Sequence, residues 1–401
     1  MRLLLAIIVL HSLLFQEGKT GLYSDHNLFI QLRSGDCTFR ITADMGRDSP
    51  LILSADGQRF ISPKRQTDIL LFRHDEKVLL ACPGSKNKFV VQGATQHYRE
   101  VIATCAQNNT FSLGGDSANF RYIKCAKTPD SSILDAREDC GGAKRHKKLF
   151  VGFRLPVTQR FLKTVELCYD PIRHSTLYTK FEVSKGVKSG QNIPRASYFR
   201  TEVFRDNLRP NFASIYKGHD DRLRALLGSE REGEDLQKGH LAAFGHFPYY
   251  SQQDATMYAI NTVPQWDKVN MGNWKRLEDR IRSLASNSDQ DLHVIAGAFG
   301  VLKIKGVEIF LAPPSAVPVP QLIYAVVYDQ AMSHGVVLIV VNDTRNPSPR
   351  KICRDVCNRN KSLMKNWPER SDASKGFLYC CTLREFNQKT KLAFPDKPLL
   401  E

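Results

Sequence analysis

Apolar positions follow two different patterns along this chain. Between residue 22 and about residue 140, short alternating apolar runs are separated by turn-forming pairs such as Asp56-Gly57 and Pro83-Gly84. Short strands at this spacing predict a small β-rich module. From Leu149 onward the runs are longer, and strand patterns alternate with helical ones. The second pattern predicts a separate α+β region.

Four runs in the second region are apolar on both faces, at residues 291–299, 307–312, 321–329 and 335–343. Runs of this kind, which are rich in β-branched residues, indicate the central strands of a buried sheet. Upstream of them, the pattern predicts a strand at residues 257–261 and a turn at residues 262–265.

The strongest helix candidate ends near Leu284 and begins between Asn270 and Lys275. Its apolar residues recur at helical spacing and form one stripe. The stripe consists of Trp274, Leu277, Ile281 and Leu284.

The first residues have the pattern of a secretory signal peptide. Arg2 precedes an apolar run from Leu3 to Leu10, which is too short to span a membrane. We therefore assign residues 1–20 to a signal peptide and predict a secreted, extracellular protein. Because no later run of about 18 apolar residues occurs, we predict no transmembrane helix and no membrane partner.

Charge changes this picture by indicating a class of partner. The 401 residues include 57 Lys and Arg against 41 Asp and Glu, which gives a net charge of +16. Such a balance favours nucleic acid, a heparin-like polymer or an anionic membrane as the partner, although a merely soluble basic protein is also compatible with it. Apolar residues make up 42% and charged residues 24%, which argues against wholesale disorder.

Ten cysteines follow the signal peptide. An even number in a secreted chain predicts disulfide bonds, and zinc binding is the alternative. Five cysteines lie in the first region, which we expect to be cross-linked within itself, with one bridge reaching Cys168. Spacing alone does not fix the remaining pairs. Three glycosylation sequons predict a glycoprotein, at Asn108, Asn342 and Asn360.

A short basic segment separates the two regions. It follows Gly141-Gly142 and contains Lys144, Arg145, Lys147 and Lys148. Its composition predicts an exposed linker, either a solvated loop or a segment that touches phosphates. We therefore divide the mature chain into a β-rich module at 21–140, a basic linker at 141–148 and a second domain at 149–401.

The stretch from Gln237 to Glu278 holds the candidate chemistry. His240 is a suitable general base because neutral imidazole accepts a proton near neutral pH. Asn270 offers a neutral oxygen to a hard cation such as Mg²⁺. Glu278 follows eight residues later, on the predicted helix, where it can orient the ligands of that cation. A base, a metal ligand and a supporting carboxylate are what metal-assisted phosphodiester hydrolysis needs.

These residues occur in a specific order. The chain reads QKGHLA at residues 237–242, INTVPQ at 260–265 and NMGNWKRLE at 270–278. This order resembles that of the DNA/RNA non-specific endonuclease family, the ββα-metal nucleases that include Serratia-type enzymes and endonuclease G. The first region resembles the extension of secreted arthropod members, which are salivary or digestive nucleases. The resemblance implies a central, mainly antiparallel sheet flanked by helices.

The resemblance also implies roles for individual residues. His240 is then the general base, Asn270 the direct ligand of Mg²⁺, for which Mn²⁺ can substitute, and Glu278 the supporting carboxylate. The remaining candidates are Asn261 beside the metal or phosphate, and three cations that bind phosphate: Arg200, Lys238 and Arg282.

Two positions depart from the family pattern. Gln237 replaces an Asp and Lys238 replaces an Arg, so the charge at position 238 remains but the bidentate fork is lost. The implied function is a secreted, metal-dependent endonuclease that acts on DNA and/or RNA as a monomer or homodimer. The alternative is a weak or inactive protein that binds nucleic acid or another polyanion on the same scaffold.

His246 allows two interpretations. It lies among aromatic residues six positions after His240, where it could stack on a base of the substrate or pack inside the protein. We expect packing.

Overall fold

The computed structural model describes residues 22–25, 28–31, 33–64, 67–107, 109–186, 193–194, 198–204, 212–218, 225–227, 235–288 and 290–400. The predicted signal peptide and the sequon at Asn108 lie outside these residues. No helix within the described ranges has both the length and the apolar content needed to cross a bilayer.

Short strands dominate the first part of the chain, as its alternating pattern predicts. A one-turn helix at Ile41–Asp44 and a 3-10 turn at Phe120–Tyr122 accompany them. The strands are β1 (Leu22–Asp25), β2 (Leu28–Gln31), β3 (Cys37–Arg40), β4 (Leu51–Ser54), β5 (Ile69–Phe72), β6 (Lys77–Ala81), β7 (Phe89–Val91), β8 (Ala94–Thr95), β9 (Glu100–Gln107), β10 (Thr110–Leu113), β11 (Asp116–Asn119) and β12 (Ile123–Cys125).

These strands form an antiparallel β-rich module. Its largest sheet has the order β11-β10-β9-β6-β4, and a smaller sheet has the order β12-β7-β8. The pairs β1-β2 and β3-β5 complete it. A cluster of aromatic rings fills the module, with Phe39 and Phe120 stacked at 3.8 Å between ring centroids. Two disulfides, Cys37–Cys105 and Cys82–Cys125, close it internally.

The module packs directly on the rest of the molecule. Strand residues alternate between the two faces of a sheet, so Ile52 and Leu80 face the core of the module. Leu51, Leu53 and Leu79 face the opposite way and join the main hydrophobic core. The module is thus attached through a continuous apolar interface.

The second part of the chain is mixed α+β. Its main α-helices are Phe212–Gly218, Tyr250–Asp254, Lys275–Ser288, Lys361–Met364 and Leu383–Thr390. Its strands are β13 (Ser132–Cys140), β14 (Ala143–Arg154), β15 (Phe161–Asp170), β16 (Ser175–Val183), β17 (Leu236–His240), β18 (Thr262–Trp266), β19 (Leu292–Phe299), β20 (Lys303–Ile304), β21 (Val307–Glu308), β22 (Phe310–Ala312), β23 (Ala316–Pro318), β24 (Leu322–Tyr328), β25 (Gly335–Val341) and β26 (Leu378–Cys381).

One large antiparallel sheet organises this part, in the order β13-β14-β15-β16-β19-β24-β25-β26. Strands β24 and β25 are buried along their whole length, which confirms the expectation of central strands for residues 321–329 and 335–343. The same expectation is wrong for residues 307–312, which form β21 and β22 in two-stranded pairs outside the large sheet. Side chains on one face join the main core beneath helix Lys275–Ser288. Side chains on the other face pack under helix Leu383–Thr390. The two helices therefore lie on opposite sides of the sheet.

The predicted linker at 141–148 is wrong. Gly141 and Gly142 form the tight turn between β13 and β14, and the basic residues that follow belong to β14. Both glycines have positive φ, which suits a hairpin turn. Strand β13 also pairs in the large sheet rather than in the module. Residues 144–148 are a run of basic residues with the composition of a loop, and the strand becomes visible in the sequence only at the apolar run 149–153 that follows.

All ten cysteines are paired, so the zinc alternative has no thiolate available. Cys140–Cys168 joins β13 to β15, which is the bridge to Cys168 that we expected. Cys353–Cys381 and Cys357–Cys380 hold the segment at residues 353–357 against β26.

Two of the three predicted glycosylation sites are wrong because both side chains are buried. The Asn342 amide nitrogen donates to the carbonyls of Pro264 and Pro320 at 3.1 and 3.0 Å. The Asn360 amide nitrogen donates to the Leu400 carbonyl at 2.7 Å. A glycan on either nitrogen would break these contacts and could not reach solvent.

Candidate active site

Two strands and a helix frame the candidate site. Strands β17 and β18 pair antiparallel, with His240 opposite Thr262 and Gln237 opposite Gln265. Helix Lys275–Ser288, called the site helix below, follows them along the chain. The predicted strand at 257–261 and turn at 262–265 are both wrong. Residues 259–261 form a 3-10 turn, and the following segment is β18, which is extended despite Pro264.

His240 lies at the end of β17 and lines the cleft. The Trp274 indole nitrogen donates to the His240 carbonyl at 3.1 Å, which ties the site helix to this strand. The Phe199 ring packs beside the imidazole at 5.2 Å between centroids. The first contact holds the backbone of His240, and the second packs against its imidazole.

Gly239 is required by a close approach inside the protein. A Cβ atom at this position would lie 2.1 Å from the side chain of Gln265, which is fully buried on the partner strand. A glycine before the candidate base could also admit a phosphate or a backbone segment. The structure places a glutamine side chain there instead.

Asn270 lies in a distorted turn before the site helix. Residues Asn270–Trp274 form a π-helical turn, and Gly272 has a non-helical ψ of −120°. The Asn270 amide nitrogen donates to the Gln237 side-chain oxygen at 2.8 Å. This bond directs the amide oxygen of Asn270 away from Gln237. Gln237, a departure from the family pattern, is therefore the direct partner of the predicted metal ligand.

The buried Asn273 side chain anchors this turn to the C-terminal part of the chain. The sequence analysis did not identify this residue. Its amide nitrogen donates to the carbonyls of Glu369 and Gly376 at 2.8 and 2.7 Å. Its oxygen accepts from the Trp367 indole nitrogen at 3.0 Å. Because the partners lie about a hundred residues downstream, local sequence gives no signal for this buried network.

One cleft of about 1040 Å³ contains most of the predicted site residues. His240, Asn270 and Glu278 line it together with the cations Lys238 and Arg282. Among the described residues, all those that line this cleft lie between positions 199 and 282, so the N-terminal module contributes none.

The two cations are held in different ways. The Lys238 ammonium lies 4.9 Å from the centroid of the Tyr216 ring, in cation–π contact. The Arg282 guanidinium donates to Asp279 at 2.8 Å and lies against the Gly245 carbonyl. Both positive charges face the cleft, where a phosphate would meet them.

His246 packs inside the protein, as expected. It is 2% exposed, its ring stacks on Phe181 at 5.4 Å, and its Nε2 donates to the Glu278 carbonyl at 3.1 Å. Burial lowers the pKa of His246 to about 4, and the nearby Arg282 acts in the same direction. The imidazole is therefore neutral at physiological pH and supports the site helix.

Arg200 does not reach the cleft. It forms an ion pair with Asp254, donates to the Ser131 hydroxyl at 2.6 Å and lies over the Tyr258 ring. These partners place it at the boundary with the N-terminal module, so the expected phosphate contact is wrong. The short sequence around Arg200 does not show whether its side chain points into the cleft or away from it.

Asn261 is also held away from the cleft. Its side chain is 1% exposed, accepts from the Ala242 amide at 2.9 Å and donates to the carbonyls of Ala242 and Thr256. The expected role beside the metal or phosphate is wrong, because these backbone groups occupy the whole amide. Asn261 instead fixes the loop that follows His240.

Comparison with known proteins identifies the family of the chain. The family model for DNA/RNA non-specific endonuclease matches residues 147–386. The chain therefore belongs to this family, whose members are metal-dependent nucleases.

Two similar proteins have names that describe them as salivary. A salivary endonuclease of Lutzomyia longipalpis is 28% identical over 306 residues, which cover 74% of this chain and 71% of the relative. Salivary protein Tsal1 of Glossina morsitans morsitans is 23% identical and covers 79% of each chain. A chain from a crystal structure of the EndoG/EndoGI complex matches with 16% identity and a TM-score of 0.38, over 59% of this chain and 84% of that one.

Proposed function

We propose that this chain is a secreted endonuclease that uses a divalent cation to hydrolyse phosphodiester bonds in DNA and/or RNA, with little sequence specificity. The observation that carries the proposal is the shared cleft of His240, Asn270 and Glu278. Family membership supports the nuclease activity.

His240 acts as the general base. A neutral imidazole accepts a proton from the attacking water as the water approaches phosphorus. Two contacts support this role, because Trp274 holds the backbone carbonyl of His240 and the Phe199 ring packs against the imidazole. A fixed base removes part of the entropy cost of reaching the reactive geometry.

The residues around Asn270 fit Mg²⁺, and Mn²⁺ can substitute for it. The Asn270 oxygen is a hard donor directed away from Gln237, and Glu278 adds a carboxylate in the same cleft. Mg²⁺ accepts few protein ligands because it keeps several waters. When bound, the cation supplies stabilisation for the charge that develops on the phosphate and on the leaving oxygen.

Lys238 and Arg282 bind the phosphate of the substrate. Each projects a cation into the cleft and is positioned by a second contact, with Tyr216 and Asp279 respectively. Lysine lacks the planar fork of arginine, so Lys238 acts as a point charge. Glu278 supports the cation and Asn261 shapes the loop behind His240.

A cleavage panel tests this function. Single- and double-stranded DNA and RNA are incubated with Mg²⁺, with Mn²⁺ and with EDTA. We expect cleavage with either cation and none with EDTA. Cleavage that resists EDTA would remove the cation from the proposal.

A second candidate function is binding of nucleic acid or another polyanion without turnover. The neutral Gln237 beside Asn270 favours this second function. The Asp of the family pattern would place a negative charge next to the cation at this position, and Gln237 does not. A plasmid-nicking assay separates the two functions. Binding without nicking under saturating Mg²⁺ supports the second.

The extracellular setting is part of the proposal. The signal-peptide pattern at residues 1–20 and five disulfides support secretion. We expect a monomer or homodimer without a membrane partner, and glycosylation only at Asn108. Light scattering and mass spectrometry of the secreted protein check these points.

A further inference from the structure

Two arginines crowd together on the flank of the site helix. Arg276 and Arg280 are one turn apart, and both donate to the Asn366 carbonyl, at 3.0 and 3.1 Å. Both guanidinium groups also lie over the Trp367 ring, at 5.8 and 5.6 Å from its centroid. One carbonyl and one indole thus hold two positive charges side by side.

This pair is only partly neutralised. Arg276 forms an ion pair with Glu369 at 2.7 Å, whereas no ion pair is recorded for Arg280 among the described residues. Burial lowers the pKa of Arg280 and the charge of Arg276 lowers it further, while Glu369 compensates only in part. The protein therefore keeps two like charges close together at an energetic cost, which an incoming anion would relieve.

Two exposed lysines extend the positive surface. Helix Lys361–Met364 packs against the site helix, and its Leu363 enters the same core as Leu277. Lys361 and Lys365 are exposed on this short segment. Arg276, Arg280, Lys361 and Lys365 together form a surface that we call the basic flank.

The basic flank is held in place before any partner arrives. Trp367, which supports the two arginines, donates to the buried Asn273. The disulfide Cys357–Cys380 secures the start of the segment that carries the lysines. A preorganised cationic surface loses little conformational entropy on binding.

The flank lies beside the cleft. On the site helix, Lys275, Asp279 and Arg282 line the cleft, whereas Arg276 and Arg280 lie roughly 100–140° further around the axis. A helix with its side chains is about 10–12 Å across, so a strand leaving the cleft reaches the flank within a few nucleotides.

We propose that the basic flank binds backbone phosphates of the nucleic acid beyond the scissile bond. This inference rests on the proposed nuclease function. The flank supplies affinity without sequence information, since its contacts are to phosphates. The substrate class that uses it is therefore a long DNA or RNA chain rather than a dinucleotide.

The test compares two triple variants with equal loss of charge. One carries R280Q, K361Q and K365Q on the flank. The control carries R384Q, K389Q and K391Q, which are exposed positions on the far side of the large sheet. Binding of a 30-base-pair duplex is measured by fluorescence anisotropy in EDTA across a KCl series, and thermal melting checks that both variants fold.

We expect the flank variant to bind at least about tenfold more weakly and to lower the salt slope by about 3, because each lost phosphate contact removes about 1. The control variant should stay close to wild type. With Mg²⁺, the flank variant should lose kcat/KM on the duplex but not on a dinucleotide.

Equal binding by the two folded variants overturns the role of the flank, even where the wild type cleaves normally. Absence of cleavage by the wild type, together with a flank-dependent salt slope, overturns the nuclease function and leaves the flank standing. The two failures are therefore distinguishable.

Discussion

The cleft and the N-terminal module are held together by different forces. Two disulfides and a cluster of stacked aromatic rings fix the module. By contrast, hydrogen bonds of Trp274, Asn270 and Asn273 position the cleft, with no disulfide among the residues that line it. The module is covalently braced, whereas the site is assembled by noncovalent contacts.

This difference predicts that the free energy of unfolding and the turnover depend on different regions of the molecule. The module donates apolar side chains to the main core but no side chain to the cleft within the described residues. Arg200 lies where the two regions meet and is engaged by Asp254. Substitutions in the module should therefore change the free energy of unfolding, and substitutions in the cleft should change turnover.

The largest effect should come from His240→Ala. Loss of the general base should lower turnover by about 10² to 10⁴-fold with little change in thermal stability. Steady-state cleavage of plasmid DNA measures this, with differential scanning fluorimetry alongside. Turnover close to wild type would remove His240 as the base.

Replacement of Cys82 and Cys125 by Ala tests the N-terminal module. Loss of this module disulfide should cost about 2–5 kcal/mol of the free energy of unfolding. Turnover per folded molecule should not change, because the cleft has no residue from the module. Urea denaturation and active-site titration measure the two quantities. A parallel fall in turnover would show that the regions are coupled.

Acid should destabilise the protein through His246. Its pKa is about 4 when folded and 6.5 ordinarily, so the unfolded chain binds the extra proton between these values. Its contribution is fully present above pH 6.5 and is lost as the pH falls towards 4, by about 3 kcal/mol. Urea denaturation from pH 7 to 4 should show a shallower fall for His246→Gln. Identical slopes for the wild type and His246→Gln would contradict this role.

Glu278→Gln should give the smallest of these effects. Loss of a carboxylate that supports the cation should lower Mn²⁺ affinity and turnover by about 10- to 100-fold. Asp279→Asn is a matched control for Mn²⁺ affinity alone, because Asp279 also lines the cleft but pairs with Lys275 and Arg282. Isothermal titration with Mn²⁺ measures affinity without turnover. An equal loss of Mn²⁺ affinity in both variants would show that Glu278 acts only through its negative charge.

The local pattern of apolar and polar residues predicts much of the fold. The order of the motif residues along the chain predicts much of the site. Strand β16 and the buried strands β24 and β25 follow from alternation and from apolar runs. The grouping of His240, Asn270 and Glu278 follows from the family order of those residues. The first half of β14 was missed because residues 144–148, a run of basic residues, have the composition of a loop.

The remaining errors concern where side chains point. Arg200 and Asn261 lie near the cleft residues in sequence, but their partners are Asp254, Ser131 and the Ala242 backbone. Asn273 depends on Trp367, nearly a hundred residues away. Contacts over such distances follow from tertiary packing, and a single sequence carries no local trace of them.

A crystal structure of the protein soaked in Mn²⁺, with anomalous diffraction, tests the central claim most directly. The account predicts a Mn²⁺ peak at bonding distance, about 2.1 Å, from the Asn270 side-chain oxygen, in the same cleft as the His240 imidazole. A Mn²⁺ peak bound elsewhere, in crystals whose dissolved protein cleaves DNA only with Mn²⁺, would contradict it.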